Sequence, residues 1–435
     1  MLPPMRLLAL AARGTLELVA AECKTLGLTV VQVSGEGVAL EAGPRDIAKA
    51  LVYLRIATRV LLYLDEFVAH DAGALYEGAA AIDWPTYLDT RSTFSVHASG
   101  DLVPSEPGTG GRPGRRGLDT HVFVAMRIKD AIADRLRGAL GARPDVSLDD
   151  PIVRVVARGH GGRWGVYLDL CDPPLFQRGY RVDQGPAPLK ETLAAAVAEL
   201  AGWGSPSSTP GQDGGRLHDP MCGSGTLIAE AVGRALKLAP GCTRWFAVER
   251  WPNHGEQMRK YLDDIRAGAI ANARRALADA RLDVVASDLD PRALAATKAN
   301  LAAAGIGHLV RVELADATTM PPPPPGTTLL CNPPYGERLG GKGVVDLYRA
   351  LGQHWGGFRG CTAHIIDGNP AFAGAFGLTP TATHRLWSGP LEIALRRYRL
   401  GVATGKRVRE SPVPGTDPGM GEDPDSGSNG HGQRD

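Results

Sequence analysis

Apolar and polar positions in the first third of the chain follow two alternating periods. Residues 6–12 form a short apolar run that reads as a strand, and TLELVAAECKTL (15–26) spaces its apolar residues for a helix that Gly27 stops. Residues 28–33 and 37–41 read as two strands around a Ser34-Gly35 turn, followed by a helix at 44–56 and a strand at 59–64. Strand, helix and paired strands recur up to residue 170, which predicts a compact α+β region. Beyond 188 the pattern changes. Pro188 suits the first position of a helix, PLKETLAAAVAELAGW. Short apolar strands then follow at 217–219, 283–288, 309–316, 328–331 and 364–366, most of them separated by helical stretches. That alternation predicts an α/β parallel sheet. HRLW, a Gly389-Pro390 turn and LEIALRRYRL read as a closing antiparallel hairpin.

Loops punctuate this plan. PSEPGTGGRPGRRG (104–117) is a Gly/Pro loop carrying Arg112, Arg115 and Arg116, with no acidic residue between Pro107 and Leu118. Residues 204–215 form a polar loop. Residues 401–435 lack aromatics, are rich in Gly, Pro, Asp and Ser, and read as disordered. The expected organisation is an N-terminal region over 1–170, a connector over 171–188, an α/β domain over 189–400 and the tail.

Charge narrows the partners. The chain has 48 basic and 47 acidic residues, a formal net charge of +1, which excludes a histone-like polycation and leaves nucleic-acid binding to local patches. Over residues 1–185 the balance is 21 basic against 22 acidic, so any nucleic-acid attraction there must come from local groups such as the three loop arginines and Lys129. Arg outnumbers Lys by 39 to 9, a bias that GC-rich codon usage explains as well as phosphate binding does. Six cysteines, at 23, 171, 222, 242, 331 and 361, form no CxxC pair, which argues against a zinc cage or disulfide framework and suits a reducing cytoplasm. No HExxH or paired-His spacing occurs, so no metal is expected. The apolar run Leu7–Ala12 is too short for a signal peptide, and no 18-residue apolar stretch suggests a membrane span.

Three motifs carry candidate chemistry. Asp219-Pro220-Met-Cys-Gly223-Ser224-Gly225-Thr226 joins a strand to the helix LIAEAVGRAL. Its glycines permit a tight turn and close approach of a ligand to backbone. The third glycine of a dinucleotide fingerprint is absent, and no Lys-Ser/Thr follows as in a phosphate loop. Second, Ser287-Asp288-Leu289-Asp290-Pro291 ends the next strand. A carboxylate there can hold both ribose hydroxyls of a nucleoside. Asp290, directly before Pro291, reads as the N-cap of RALAATKANLAAA, so the ribose contact falls to Asp288. The spacing from Gly225 to Asp288 exceeds the usual 20 or so residues, so an insertion containing RWFAVERWPNHGEQMRKYL lies between them. Asp316, beside Ala317, can accept from an adenine amino group or serve as an ordinary loop residue.

The third motif is Cys331-Asn332-Pro333-Pro334-Tyr335. The exocyclic amine of a nucleobase is a poor nucleophile because its lone pair is delocalised into the ring. The Asn332 oxygen and the Pro333 carbonyl can accept its two N–H groups, which localises that pair. The prolines stiffen the backbone, and Tyr335 offers a face for an unstacked base. Gly336–Gly343 imitates a Walker A loop but has Gly343 where Ser or Thr must bind magnesium.

Together these strings, with LFQRGYRVDQGPAPLKETLAAA (175–196), FAVERW (246–251) and CNPPYGERLG (331–340), resemble class I S-adenosylmethionine-dependent RNA guanine-N2 methyltransferases that contain a THUMP region. The bacterial large-subunit (23S) ribosomal RNA type, RlmL, is the most similar in style. LALAARGTLELVAAECKTLG, LRIATRVLLYLDEF, TFSVHASG and VFVAMRIKDAIADRLR extend the resemblance to the N-terminal third, and it covers roughly residues 6–400.

The resemblance implies a Rossmann-like class I methyltransferase domain preceded by an α+β ferredoxin-like/THUMP module. It also implies S-adenosylmethionine as cofactor and RNA as partner. Asp219, Pro220, Gly223, Ser224, Gly225 and Thr226 match the cofactor loop, Asp288 and Leu289 the ribose side, and Asp316 and Ala317 the adenine side. Asn332, Pro333, Pro334 and Tyr335 match the target-base motif. The chain departs from the long form, in which a second methyltransferase is fused behind the first, so a single reaction is expected. A tRNA guanine-N2 methyltransferase would carry the same motifs. A DNA adenine methyltransferase shares Asn-Pro-Pro-Tyr but would not need the N-terminal module. A non-catalytic RNA-binding assembly factor on the same fold would not need Asp219, the glycines and Asn332 intact.

Overall fold

The computed structural model describes residues 5–103, 117–183, 189–204, 215–335 and 340–402, with backbone alone at 340–342. The arginine loop and the tail from 403 onward lie outside the described residues.

The N-terminal elements form in the expected order: β1 (Met5–Leu10), α1 (Leu16–Thr25), β2 (Thr29–Ser34), β3 (Gly37–Ala42), α2 (Pro44–Tyr53) and β4 (Arg59–Val68). Helix α2 stops at Tyr53, short of the expected residue 56. Glu22 of α1 accepts the backbone N–H groups of Arg55 (2.8 Å) and Ile56 (3.2 Å), and Leu54 is already extended. Beyond β4 come α3 (Ala72–Ala81), β5 (Thr93–Gly100), α4 (His121–Leu140), β6 (Asp145–Val146), β7 (Val153–His160) and β8 (Arg163–Asp169). Asp71 caps α3 by accepting from Gly73 and Ala74 N–H, and Gly141, at φ 79°, closes α4.

All eight strands share one sheet in the order β2-β3-β1-β4-β8-β7-β5-β6. Strand β4 makes this possible. It pairs with β1 through Leu7↔Leu62 and with β8 from Leu61↔Asp169 to Val68↔Arg163, so it runs past residue 64 to serve both halves.

The second sheet is built from β9 (Leu217–Asp219), β10 (Val284–Asp288), β11 (Val310–Leu314), β12 (Thr328–Cys331), β13 (Thr362–Asp367), β14 (Ala382–Ser388) and β15 (Leu391–Arg399). Its helices are α5 (Glu191–Ala201), α6 (Thr226–Ala235), α7 (Gly255–Asp279), α8 (Pro291–Ala303), α9 (Gly340–Trp355) and α10 (Phe372–Phe376). Helix α5 starts at Glu191 behind an extended Lys190, later than the Pro188 start read from the sequence, and Pro188 lies outside the described residues. The strand order is β11-β10-β9-β12-β13-β15-β14. The first five strands are parallel, and β15 runs antiparallel to both its neighbours. Alternate residues along the strands enter different cores: Leu330 and Ile366 join α5, α6 and α8, while Leu329, Cys331 and Ile365 join α9 and α10.

The insertion predicted before β10 is chiefly helix α7 and the segment leading into it. Its apolar residues Phe246, Val248, Trp251, Met258, Leu262 and Ile265 belong to the core of the eight-stranded sheet. The insertion therefore fastens the second sheet's chain to the first module. Among the described residues, no helix is long and apolar enough to cross a membrane, and no cluster of His, Cys, Asp and Glu could hold a metal ion.

Candidate active site

Strand β9 pairs with β10 on one side and β12 on the other, so strand order reverses there and a crevice opens beyond the carboxyl ends of these strands. All three motifs lie at that edge. Asp219 ends β9, Asp288 ends β10, and Asn332 directly follows β12.

The loop after β9 is a tight turn. Gly223 (φ +54°) and Gly225 (φ +80°) occupy left-handed backbone that other residues rarely adopt. Gly225 N–H donates to the Cys222 carbonyl at 2.8 Å, and Cys222 N–H donates to Ser287 O at 2.9 Å, which ties the turn to β10. A Cβ on Gly223 would meet nothing within 4 Å, so the turn presents bare backbone to open space. A Cβ on Gly225 would come within 3.0 Å of Thr297, so that glycine faces inward against α8. Asp219 is buried beneath the turn and accepts Met221 N–H at 3.2 Å. Burial holds its carboxyl well above the usual range, and the Asp288 charge adds to the effect. Pro220 and Thr226 are buried beside it, while Ser224 is partly exposed.

Asp288 is half-buried. Its Oδ2 accepts Gly223 N–H at 2.9 Å and its Oδ1 accepts Asp290 N–H at 2.9 Å. It thus joins the glycine turn to the head of α8. Asp290 is the N-cap of α8, accepting Arg292 N–H at 2.9 Å, as its place before Pro291 indicated. Leu289 is 67% exposed and Leu314, in register with Asp288, is 62% exposed. Asp316 lies two residues beyond β11, not within a strand. Its Oδ1 accepts from Thr318 N–H (2.8 Å) and Oγ1 (2.6 Å), and these bonds lower its pKa. Ala317 is buried, and its carbonyl accepts the indole N–H of Trp355 at 2.8 Å.

In the third motif, Asn332 Oδ1 is buried without a hydrogen-bond partner. Pro333 is buried and Pro334 half-buried. The Pro334 carbonyl accepts the Tyr348 hydroxyl at 2.7 Å, which anchors the turn to α9. The Tyr335 ring lies so close to Gly368 that a Cβ there would approach it to 2.6 Å. Burial raises the Tyr335 pKa, and the Asn332 amide acts in the opposite direction. The Cys331 thiol is pushed far up, chiefly by burial, with the Asp219 and Asp288 carboxyls adding to the effect.

Four candidates remain. Arg112, Arg115 and Arg116 are outside the described residues. Lys129 sits on α4 and forms an ion pair with Asp130 at 2.7 Å.

A family model described as the RMKL-like methyltransferase domain matches residues 178–395, a THUMP domain model matches 69–169, and an RlmL ferredoxin-like domain model matches 6–61. The chain belongs to the RMKL-like methyltransferase family. It is 33% identical over 418 residues to the ribosomal RNA large subunit methyltransferase K/L of Psychromonas ingrahamii. That alignment covers 93% of this chain and 52% of the relative, so the chain spans about half the length of the curated relatives it matches. A possible methylase from Clostridium difficile 630 superposes with a TM-score of 0.78 at 25% identity, over 94% of this chain and all of that one. SMU.472, a putative methyltransferase complexed with SAH, does so with a TM-score of 0.77 at 28% identity, over 94% and 100% of the two chains. The fold is a Rossmann-like class I methyltransferase domain preceded by an α+β ferredoxin-like and THUMP module.

Sequence reasoning missed several residues of this RMKL-like site. Thr297 and Asn300 of α8 back the glycine turn, and Glu230 of α6 joins that helix to the first module. The available signal was a polar residue standing where the helix's buried apolar stripe should run.

Proposed function

We propose that this chain is an S-adenosylmethionine-dependent RNA methyltransferase acting on the exocyclic N2 amine of a guanosine in large-subunit (23S) ribosomal RNA. The observation that carries this reading is the buried, unpartnered Asn332 Oδ1 at the crevice. A buried acceptor left without a donor is costly, and an amine N–H from a flipped base would satisfy it. Family membership and the rRNA-directed name of the relatives support the same reading.

The residues present fit the cofactor. The bare backbone at Gly223 leaves room for a ligand against the turn, and Asp288 beside it is half-exposed. Asp219 through Thr226 would hold the methionine side, Asp288 the ribose hydroxyls, and Leu289, Asp316 and Ala317 the adenine. S-adenosylmethionine supplies an already activated methyl group. Asn332 Oδ1 and the Pro333 carbonyl accept the amine's N–H groups and aim its lone pair. Tyr335, braced by Gly368, stacks on the base. The alkylated amine is acidic enough to lose its proton to water, so no strong general base is required. Residues 1–170 form the RNA-gripping part of this scheme, with Arg112, Arg115, Arg116 and Lys129 as its cationic contacts, and 171–188 the connector to the 189–400 domain.

Asp288→Ala is expected to weaken S-adenosylmethionine binding at least about tenfold, because a charge-assisted hydrogen bond is worth roughly 1.5–3 kcal/mol. Asp290→Ala, which removes only a helix cap, should bind normally in the same calorimetric titration. The reverse pattern would transfer the ribose contact to Asp290. The whole reading is tested by incubating the protein with labelled S-adenosylmethionine and 23S rRNA, 16S rRNA or tRNA, then identifying the labelled nucleoside by mass spectrometry. N2-methylguanosine in 23S rRNA is expected. Label in tRNA alone overturns the RNA assignment, and N6-methyladenosine overturns the base assignment.

A further inference from the structure

Helix α8 turns two fully buried polar side chains toward the back of the glycine loop. Thr297 is 0% exposed and Asn300 is 1% exposed, and they stand one turn apart on a face otherwise lined by Leu294 and Leu301. Thr297 Oγ1 donates to the Gly223 carbonyl at 2.8 Å. Asn300 uses its whole amide. Nδ2 donates to the Ser224 carbonyl (3.0 Å) and the Asp183 carbonyl (2.8 Å). Oδ1 accepts the N–H groups of Val182 (2.9 Å) and Asp183 (3.0 Å).

Helix packing does not require any of this, since an apolar residue would fill either place. The side chains do, however, fix the carbonyls of two successive loop residues toward α8. The C=O and N–H of a trans peptide point in opposite directions. With the Gly223 carbonyl held inward, the Ser224 N–H is turned to the open side of the loop. Asn300 also ties the connector backbone at 182–183 to the same loop, so loop and connector share one anchor.

We propose that Thr297 and Asn300 are positioning residues that pre-form the cofactor loop, and that Asn300 couples its order to that of the connector. This rests on the cofactor reading given above. Pre-organisation acts on affinity by lowering the ordering cost of binding. Loss of either anchor should therefore appear both in the free protein and in cofactor binding.

The test combines amide hydrogen exchange of residues 219–226 and 180–183 in the free 435-residue chain with calorimetric titration of S-adenosylmethionine. Thr297→Val, nearly isosteric, should speed exchange in the loop and weaken cofactor binding about tenfold, the equivalent of one lost hydrogen bond. Thr297→Ser, which keeps the donor, should restore both. Asn300→Asp removes two donors and sets a charge against two carbonyls. It should speed exchange in loop and connector together and weaken binding by more than Thr297→Val does. Wild-type exchange and affinity in Thr297→Val and Asn300→Asp would overturn the proposal. Exchange that rises only in the loop in Asn300→Asp would overturn the coupling. If the wild-type chain binds no S-adenosylmethionine while exchange responds as stated, the cofactor reading falls and the loop-positioning role stands.

Discussion

Asn332→Ala is expected to lower single-turnover methyl transfer roughly 100-fold or more, the scale seen when one preorganised polar group is deleted from an active site. The Asn332 side chain is only partly buried, in the loop that follows β12. Its Oδ1 is buried and unpartnered, so truncation removes no hydrogen bond to that atom. Stability and cofactor affinity should therefore stay near wild type while turnover falls. The surrounding turn is held by other means: the Pro334 carbonyl takes the Tyr348 hydroxyl, and Tyr335 rests on Gly368. Saturating S-adenosylmethionine and excess enzyme over RNA isolate the transfer step from binding and product release. Tyr335→Phe should keep most of the rate, because stacking needs the ring and not the hydroxyl. A rate near wild type in Asn332→Ala would remove the amine-acceptor mechanism.

Most strands of the second sheet and the first four strands of the first were legible because each rests on local signals. Asp290-Pro291 announced the head of α8, and Gly225 the break between β9 and α6. The loop motifs were legible for the same reason, since tight turns and capping residues leave marks within a few positions. What the sequence hid depends on partners distant along the chain. The end of α2 is set by Glu22, more than thirty residues upstream, whose carboxyl is pushed up to about 7 by burial while the backbone donors of Arg55 and Ile56 pull it down. The continuity of the first sheet depends on β4 meeting β8, a pairing that leaves no trace in local periodicity. The insertion looked like an interruption of the nucleoside-binding pattern, yet its apolar stripe is core for the other module. Thr297 and Asn300 passed unnoticed within the helix RALAATKANLAAA, because their partners are loop carbonyls more than seventy residues upstream.

The same logic of distant partners gives the largest expected loss of stability. Glu230→Ala should destabilise the chain by about 3–5 kcal/mol, the cost of leaving buried charge without its counter-ion. Glu230 is buried on α6. Its Oε2 accepts from Arg55 Nη1 at 3.0 Å, and its Oε1 accepts the Tyr180 hydroxyl at 3.0 Å and Arg178 Nε at 3.4 Å. Arg55 belongs to the first module, Tyr180 and Arg178 to the connector, and Glu230 to the helix that begins at the glycine turn. One carboxylate therefore receives all three parts. Other carbonyls also hold the arginines: Gly233 O takes Arg55 at 3.1 Å and Leu175 O takes Arg178 at 2.8 Å. These oxygens orient the guanidiniums but carry no negative charge, so they do not replace Glu230. Glu230→Gln keeps an acceptor while removing the charge, and should fall between wild type and alanine. Equilibrium urea unfolding read by tryptophan fluorescence would check the order. Because the hub joins modules, Glu230→Ala should also split one unfolding transition into two, with the modules no longer melting together. A loss below about 1 kcal/mol, the level of an exposed pair, would mean that the Glu22 carboxyl, which also interacts with Arg55 and Arg178, already compensates them and that the modules are held chiefly by the apolar contact of α7.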